Sequence, residues 1–133
     1  MLAENRTTEE AAMSRLREDN FGNDGARAYL GMLTAKLVAT INEVFADDER
    51  LEPDEDGESL FMPSIDVLAL MCERYAAAPP KPARIRQWRD KYLALFDAAK
   101  IGPSNDFRSK RRMVVENTFR WLEGLAESEQ DGE

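Results

Sequence analysis

The chain has 133 residues, one domain by length, and 43% of them are hydrophobic, enough to bury a core without disulfides or a metal. A formal net charge of −8 disfavours whole-surface binding to nucleic acid or to an anionic membrane, so neither is expected as a partner. With no histidine and one cysteine, Cys72, a histidine-dependent triad, a Cys/His zinc site and an internal disulfide framework are excluded.

Met1 to Glu10 has no apolar run, so no signal peptide is expected. Nor does any stretch approach the ~20 apolar residues that span a bilayer. The expectation is a cytoplasmic, bacterial-type protein that needs no cofactor and is not an enzyme.

Thr7-Thr8-Glu9-Glu10 reads as a capping box for a weak N-terminal helix over residues 1–18, which has little to bury. Met13 is an alternative start. The main domain is expected over 19–127. Asn20-Phe21-Gly22-Asn23-Asp24 reads as a turn in which Asn23 or Asp24 caps the next helix. That helix runs from about Gly25 to Ala46, with Tyr29, Leu30, Leu33, Leu37, Ile41 and Val44 on one face.

The stretch 47–58, DDERLEPDEDGE, is an acidic linker with eight carboxylates: Asp47, Asp48, Glu49, Glu52, Asp54, Glu55, Asp56 and Glu58. At that charge density, with Pro53 and Gly57, it reads as uncompacted chain. Glu52-x-Asp54-x-Asp56-Gly57 resembles half of a calcium loop. An EF-hand needs an apolar eighth residue and a bidentate glutamate at the twelfth, and here those are Ser59 and Pro63. No metal site is therefore expected.

MPSIDVLALMCERY, 62–75, starts with Pro63 in the first turn and is apolar around most of its circumference, so it reads as a buried central helix. Cys72 falls in its apolar arc and reads as an inert thiol. Pro79, Pro80 and Pro82 make a stiff connection. The next helix, about 83–100, places Ile85, Trp88, Tyr92, Leu95, Phe96 and Ala99 on one face, and Gly102-Pro103 ends it. Ser104 or Asn105 caps the last helix, about 106–127, and residues 128–133 read as a disordered tail. No sustained period-two alternation appears. The expected architecture is all-α: a single-domain antiparallel bundle of four main helices plus the weak N-terminal one.

Two features stand out as candidate sites. Charge is unevenly distributed: residues 1–60 carry a net −9, whereas 74–120 carry a net +8, densest at Arg108, Lys110, Arg111 and Arg112. The eight carboxylates of 47–58 are thus candidates for docking a basic protein or for simple neutralisation by the basic helices, and Arg108, Lys110 and Arg112 for a phosphate or nucleic-acid contact that the global charge opposes; a homodimer would form through the surplus aromatics of the last two helices. The second feature is Arg111, which falls on the apolar arc of the last helix and needs a partner if buried. Asp66 and Glu73, on one stripe of the central helix, are the expected partners. The three define a possible interhelical polar pocket for a small anion or small molecule.

FGNDGARAYL (Phe21 to Leu30) resembles the F-x-N-D-x-A opening of a small uncharacterised bacterial family, a domain of unknown function. MPSIDVLALMCERY, IRQWRDKYLALFD and DFRSKRRMVVENTFRWL are similar to the rest of such a domain. The resemblance covers roughly Asp19 to Leu125. It departs at the N-terminal side, where a Trp-Gly pair often precedes the motif and Arg17-Glu18-Asp19 stands here. It implies a helical structure and no established activity. Some small acidic proteins of this kind are antitoxins or immunity proteins, which favours a non-enzymatic, protein-binding helical protein that uses its acidic segment.

Overall fold

The computed structural model describes residues 18–131. The weak N-terminal helix expected over 1–18 and the last residues of the tail lie outside them. The described chain is all-α, with no strand. The described chain divides into two units between Leu33 and Thr34, inside the first described helix.

That helix, α1, is Asp24–Ala46. The Asn23 side chain accepts from the Ala26 amide at 2.8 Å, the bond of an N-cap asparagine that satisfies an amide with no partner inside the helix. From Thr34 onward α1 buries Ile41 and Val44. The short helix α2, Asp48–Leu51, follows, then a π-helical segment, Pro53–Phe61, broken at Glu55 (φ −103°, ψ −119°). Helix α3 is Met62–Tyr75, α4 is Pro82–Ala99 and α5 is Asn105–Asp131. The tail expected from Ser128 is still helical at its start.

Helices α4 and α5 run antiparallel: Asp97, near the end of α4, meets Arg112 near the start of α5, while Arg86 meets Glu123 and Glu127. Within the second unit Asn42 of α1 meets Arg84 and Trp88, and Lys91 reaches Phe45, so α1 runs with α4. The ring of Phe61 lies 6.3 Å from Phe119, and Cys72 shares a crevice with Leu125 and Glu129, so α3 runs with α5. Successive main helices therefore alternate in direction, as in an antiparallel bundle.

The core is built on three- and four-residue spacings. Ile85, Trp88, Tyr92 and Phe96 of α4, Val115, Phe119, Leu122 and Ala126 of α5 and Ile65, Leu68, Ala69 and Cys72 of α3 are all buried, with α5 packing against both α3 and α4. Burying each large side chain favours the fold by roughly 1.5–3 kcal/mol. Contrary to expectation, α3 is not enclosed. Val67 and Leu70 are about half exposed (47% and 49%), beside exposed Asp66, Glu73 and Arg74. Its apolar composition exceeds its buried face, and α4 supplies the most deeply buried rings.

Helix α3 ends at Ala76, which is left-handed (φ 58°), and the Ala77 amide returns to the Met71 carbonyl at 3.2 Å. This is a helix stop made without glycine. Helix α4 ends likewise at Lys100 (φ 50°), and Gly102 (φ 89°) turns the chain towards α5. There the Ser104 hydroxyl accepts from the Phe107 amide at 3.1 Å.

Candidate functional site

The acidic segment is folded, not extended. Asp47 caps α2, its side chain accepting from the amides of Glu49 and Arg50 at 3.1 and 3.3 Å. Leu51, Pro53, Gly57 and Phe61 are buried and anchor it to the bundle. Arg50 reaches back to Asp56 at 2.8 Å, and Lys91 of α4 binds both Asp48 (2.6 Å) and the Phe45 carbonyl (2.8 Å). Apolar anchors spaced among the carboxylates overcome the charge density that predicted open chain.

Gly57 is where the segment comes closest to the core. A Cβ placed there would lie 2.4 Å from the Leu51 carbonyl oxygen and 2.7 Å from the Tyr92 ring. Only glycine admits that approach, and it brings the next residue, Glu58, inside.

Glu58 is the half-buried end of the acidic run. Arg111 donates to it in a fork, Nε to Oε1 at 2.6 Å and Nη2 to Oε2 at 3.1 Å, and the Tyr92 hydroxyl donates to Oε2. The carboxylate and guanidinium side chains are 23% and 25% exposed. Bidentate arginine–carboxylate pairing of this kind is both strong and directional. Burial pushes the Tyr92 hydroxyl well above its ordinary value, and its bond to Glu58 pushes it further. The bond to Glu58 also raises Arg111, against the opposing effect of burial.

Arg111 thus has its carboxylate from the acidic segment. Asp66 and Glu73 are exposed, and Asp66 adds only a weak, through-space charge effect on Arg111. The structure does not bring Arg111, Asp66 and Glu73 together as a pocket.

The remaining carboxylates of the segment face water. Asp47, Glu49, Glu52, Asp54 and Glu55 line an open cleft of about 840 Å³, with Arg50 among them and Ala99, Ile101 and Gly102 as an apolar wall from the α4–α5 turn. Arg50 is already held by Asp56, and that bond raises its pKa. The cleft therefore presents five negative groups, one committed cation and an apolar wall, the lining expected around a lysine or arginine side chain with its alkyl stem. Among the described residues no group of three or more carboxylate or thiol side chains is placed to hold a metal ion.

Cys72 is 8% exposed, and burial, with Glu129 adding to it, pushes its thiol up to about 11. A thiol so far from ionisation is a poor nucleophile at neutral pH. No described helix is long and apolar enough to cross a membrane.

Sequence reasoning did not single out Asn42, whose side-chain oxygen accepts from Arg84 at 2.8 Å and from the Trp88 indole at 3.2 Å. A polar residue one step from Ile41 on an amphipathic helix, with a buried tryptophan needing an acceptor, was the available signal. Comparison with protein-family models, with characterised proteins and with solved structures gives no match.

Proposed function

We propose that this chain is a non-enzymatic, protein-binding helical protein whose acidic cleft takes a basic segment of a partner, in the manner of an antitoxin, immunity protein or adaptor. The observation that carries the reading is the cleft, where five carboxylates border an apolar wall and the one guanidinium is already engaged by Asp56. Opposite charge at close quarters speeds encounter and excludes wrong partners, and the apolar wall adds contact area once docked. The likeness of FGNDGARAYL to the F-x-N-D-x-A family opening points the same way.

The test is partner capture from the native host with three proteins: wild type, a Glu49→Gln, Glu52→Gln, Asp54→Asn, Glu55→Gln variant, and an Asp66→Asn, Glu73→Gln control with exposed carboxylates elsewhere. The expected result is a basic protein held by wild type and control, lost in the cleft variant and weakened at high salt. Equal retention by all three would remove the cleft from the interface.

A further inference from the structure

We propose that a second pocket, at the α4–α5 turn, binds a phosphate dianion, either inorganic phosphate or the phosphoryl group of a small ester. The pocket is a cavity of about 410 Å³ in which Lys100, Arg108 and Arg112 converge with Asn105 and Ser109 over the Phe96 ring. One carboxylate, Asp97, also lines it, and it is held by Arg112 through two bonds of 2.8 and 3.0 Å. Arg112 binds Glu116 as well, so its charge is answered twice.

Lys100 and Arg108 differ from Arg112. Neither has a carboxylate partner among the described residues. Arg108 gives its Nη1 to the carbonyls of Lys100 and Ile101, each at 3.4 Å, and its Nη2 to the Asn105 side-chain oxygen. Neutral acceptors orient the guanidinium without cancelling its charge, and they leave Nε free to donate into the cavity. Two uncompensated cations facing one space match a dianion better than a carboxylate. The 27-residue helix α5 begins at Asn105, and the positive end of its dipole adds to the same preference.

The carbonyls that hold Arg108 are themselves fixed. Gly102, at φ 89°, packs so tightly on Phe107 that an added Cβ would lie 2.2 Å from the ring. The turn that presents the Lys100 and Ile101 carbonyls is packed against Phe107, so the Arg108 guanidinium is oriented before any ligand arrives. The acidic cleft shares this turn through Ala99, Ile101 and Gly102 but has the opposite charge. Its ligand and this one are therefore chemically distinct, and the two readings stand or fall separately.

An amide NMR titration with inorganic phosphate, at ionic strength held constant with sodium chloride, tests the proposal, with glycerol 3-phosphate and acetate as parallel arms. Saturable shifts centred on Lys100, Asn105, Arg108 and Ser109 are expected. Arg108→Gln and Lys100→Gln should each weaken binding at least fivefold, while Lys110→Gln, which removes a cation outside the pocket, should leave it unchanged. Tighter binding of the ester than of inorganic phosphate identifies a metabolite phosphoryl group as the natural ligand, and the reverse order identifies free phosphate. Shifts that fail to saturate, acetate binding as tightly as phosphate, or unaltered affinity in both charge variants would overturn the proposal.

Discussion

Glu58 and its neighbours Glu49, Glu52, Asp54 and Glu55 come from one acidic run and meet opposite fates. Glu58 is drawn under the surface by the close packing of Gly57 and is gripped by Arg111 and Tyr92. The other four stand on an open cleft with no ion-pair partner among the described residues. Burial determines what each carboxylate does. A paired, largely covered carboxylate helps hold the fold, and an unpaired one in water contributes field and little stability.

That contrast breaks most sharply at Gly57. Gly57→Ala should cost about 3 kcal/mol, because the new methyl overlaps both a backbone oxygen and the Tyr92 ring and the segment must lift away. Urea unfolding of the two proteins reads this directly. An effect below about 1 kcal/mol would mean that the segment docks loosely and that Glu58 is not held by it. Next in size is Glu58→Ala, expected to destabilise by about 2 kcal/mol, less than a fully buried pair because both partners are partly exposed. Tyr92→Phe should cost about half as much, since a single hydrogen bond is lost.

A further prediction uses pH. The Cys72 thiol titrates at about 11 in the folded chain against an ordinary value of 9.0, and Tyr92 is raised above its ordinary 10.0. Over that window the unfolded chain has already released protons that the folded chain still holds. Stability is therefore complete below pH 9 and falls as pH rises towards 11, by on the order of 1 kcal/mol at about pH 10. Cys72→Ala should flatten the early part of the fall, as urea midpoints across the range would record.

The smallest expected effects lie on the rim. Glu49→Gln and Glu55→Gln should each change stability by less than about 0.5 kcal/mol while slowing association with a basic partner. At the acid end, Asp97 is held below its ordinary 3.8, chiefly by its bonds to Arg112. The stability this adds is present above pH 3.8 and disappears as pH falls through the folded value, so Asp97→Asn should shallow the acid limb of a melting-temperature profile slightly.

Much of this fold could be read from residues alone. The period of Ile85, Trp88, Tyr92 and Phe96, the prolines in the first turns of α3 and α4, and the Gly102-Pro103 stop mark helices whose ends shift by at most four residues in the structure. Two things were less legible, for physical reasons. Composition averages the acidic run, so it hid the buried positions Leu51, Pro53, Gly57 and Phe61 that fold it. Arg111 announced itself as a charge on an apolar arc, but nothing local says which carboxylate will answer it. Asp66 and Glu73 were the visible candidates on a facing helix, whereas Glu58 reaches it only because Gly57 lets the chain pass close to Tyr92. The pocket at Lys100 and Arg108 was half visible, as a basic cluster without any indication of which cations would stay uncompensated.

The fork between Glu58 and Arg111 joins residues 53 positions apart, and the chain between them contains all of α3 and α4. Closing so long a loop is expected to come late in folding, after both helices have docked against α5. An interaction absent from the transition state acts on the rate of leaving the native state, not on the rate of reaching it. In a chevron plot, Glu58→Ala should therefore raise the unfolding limb and leave the refolding limb nearly where it was. On that expectation the half-buried carboxylate acts as a latch whose worth to the molecule is native lifetime.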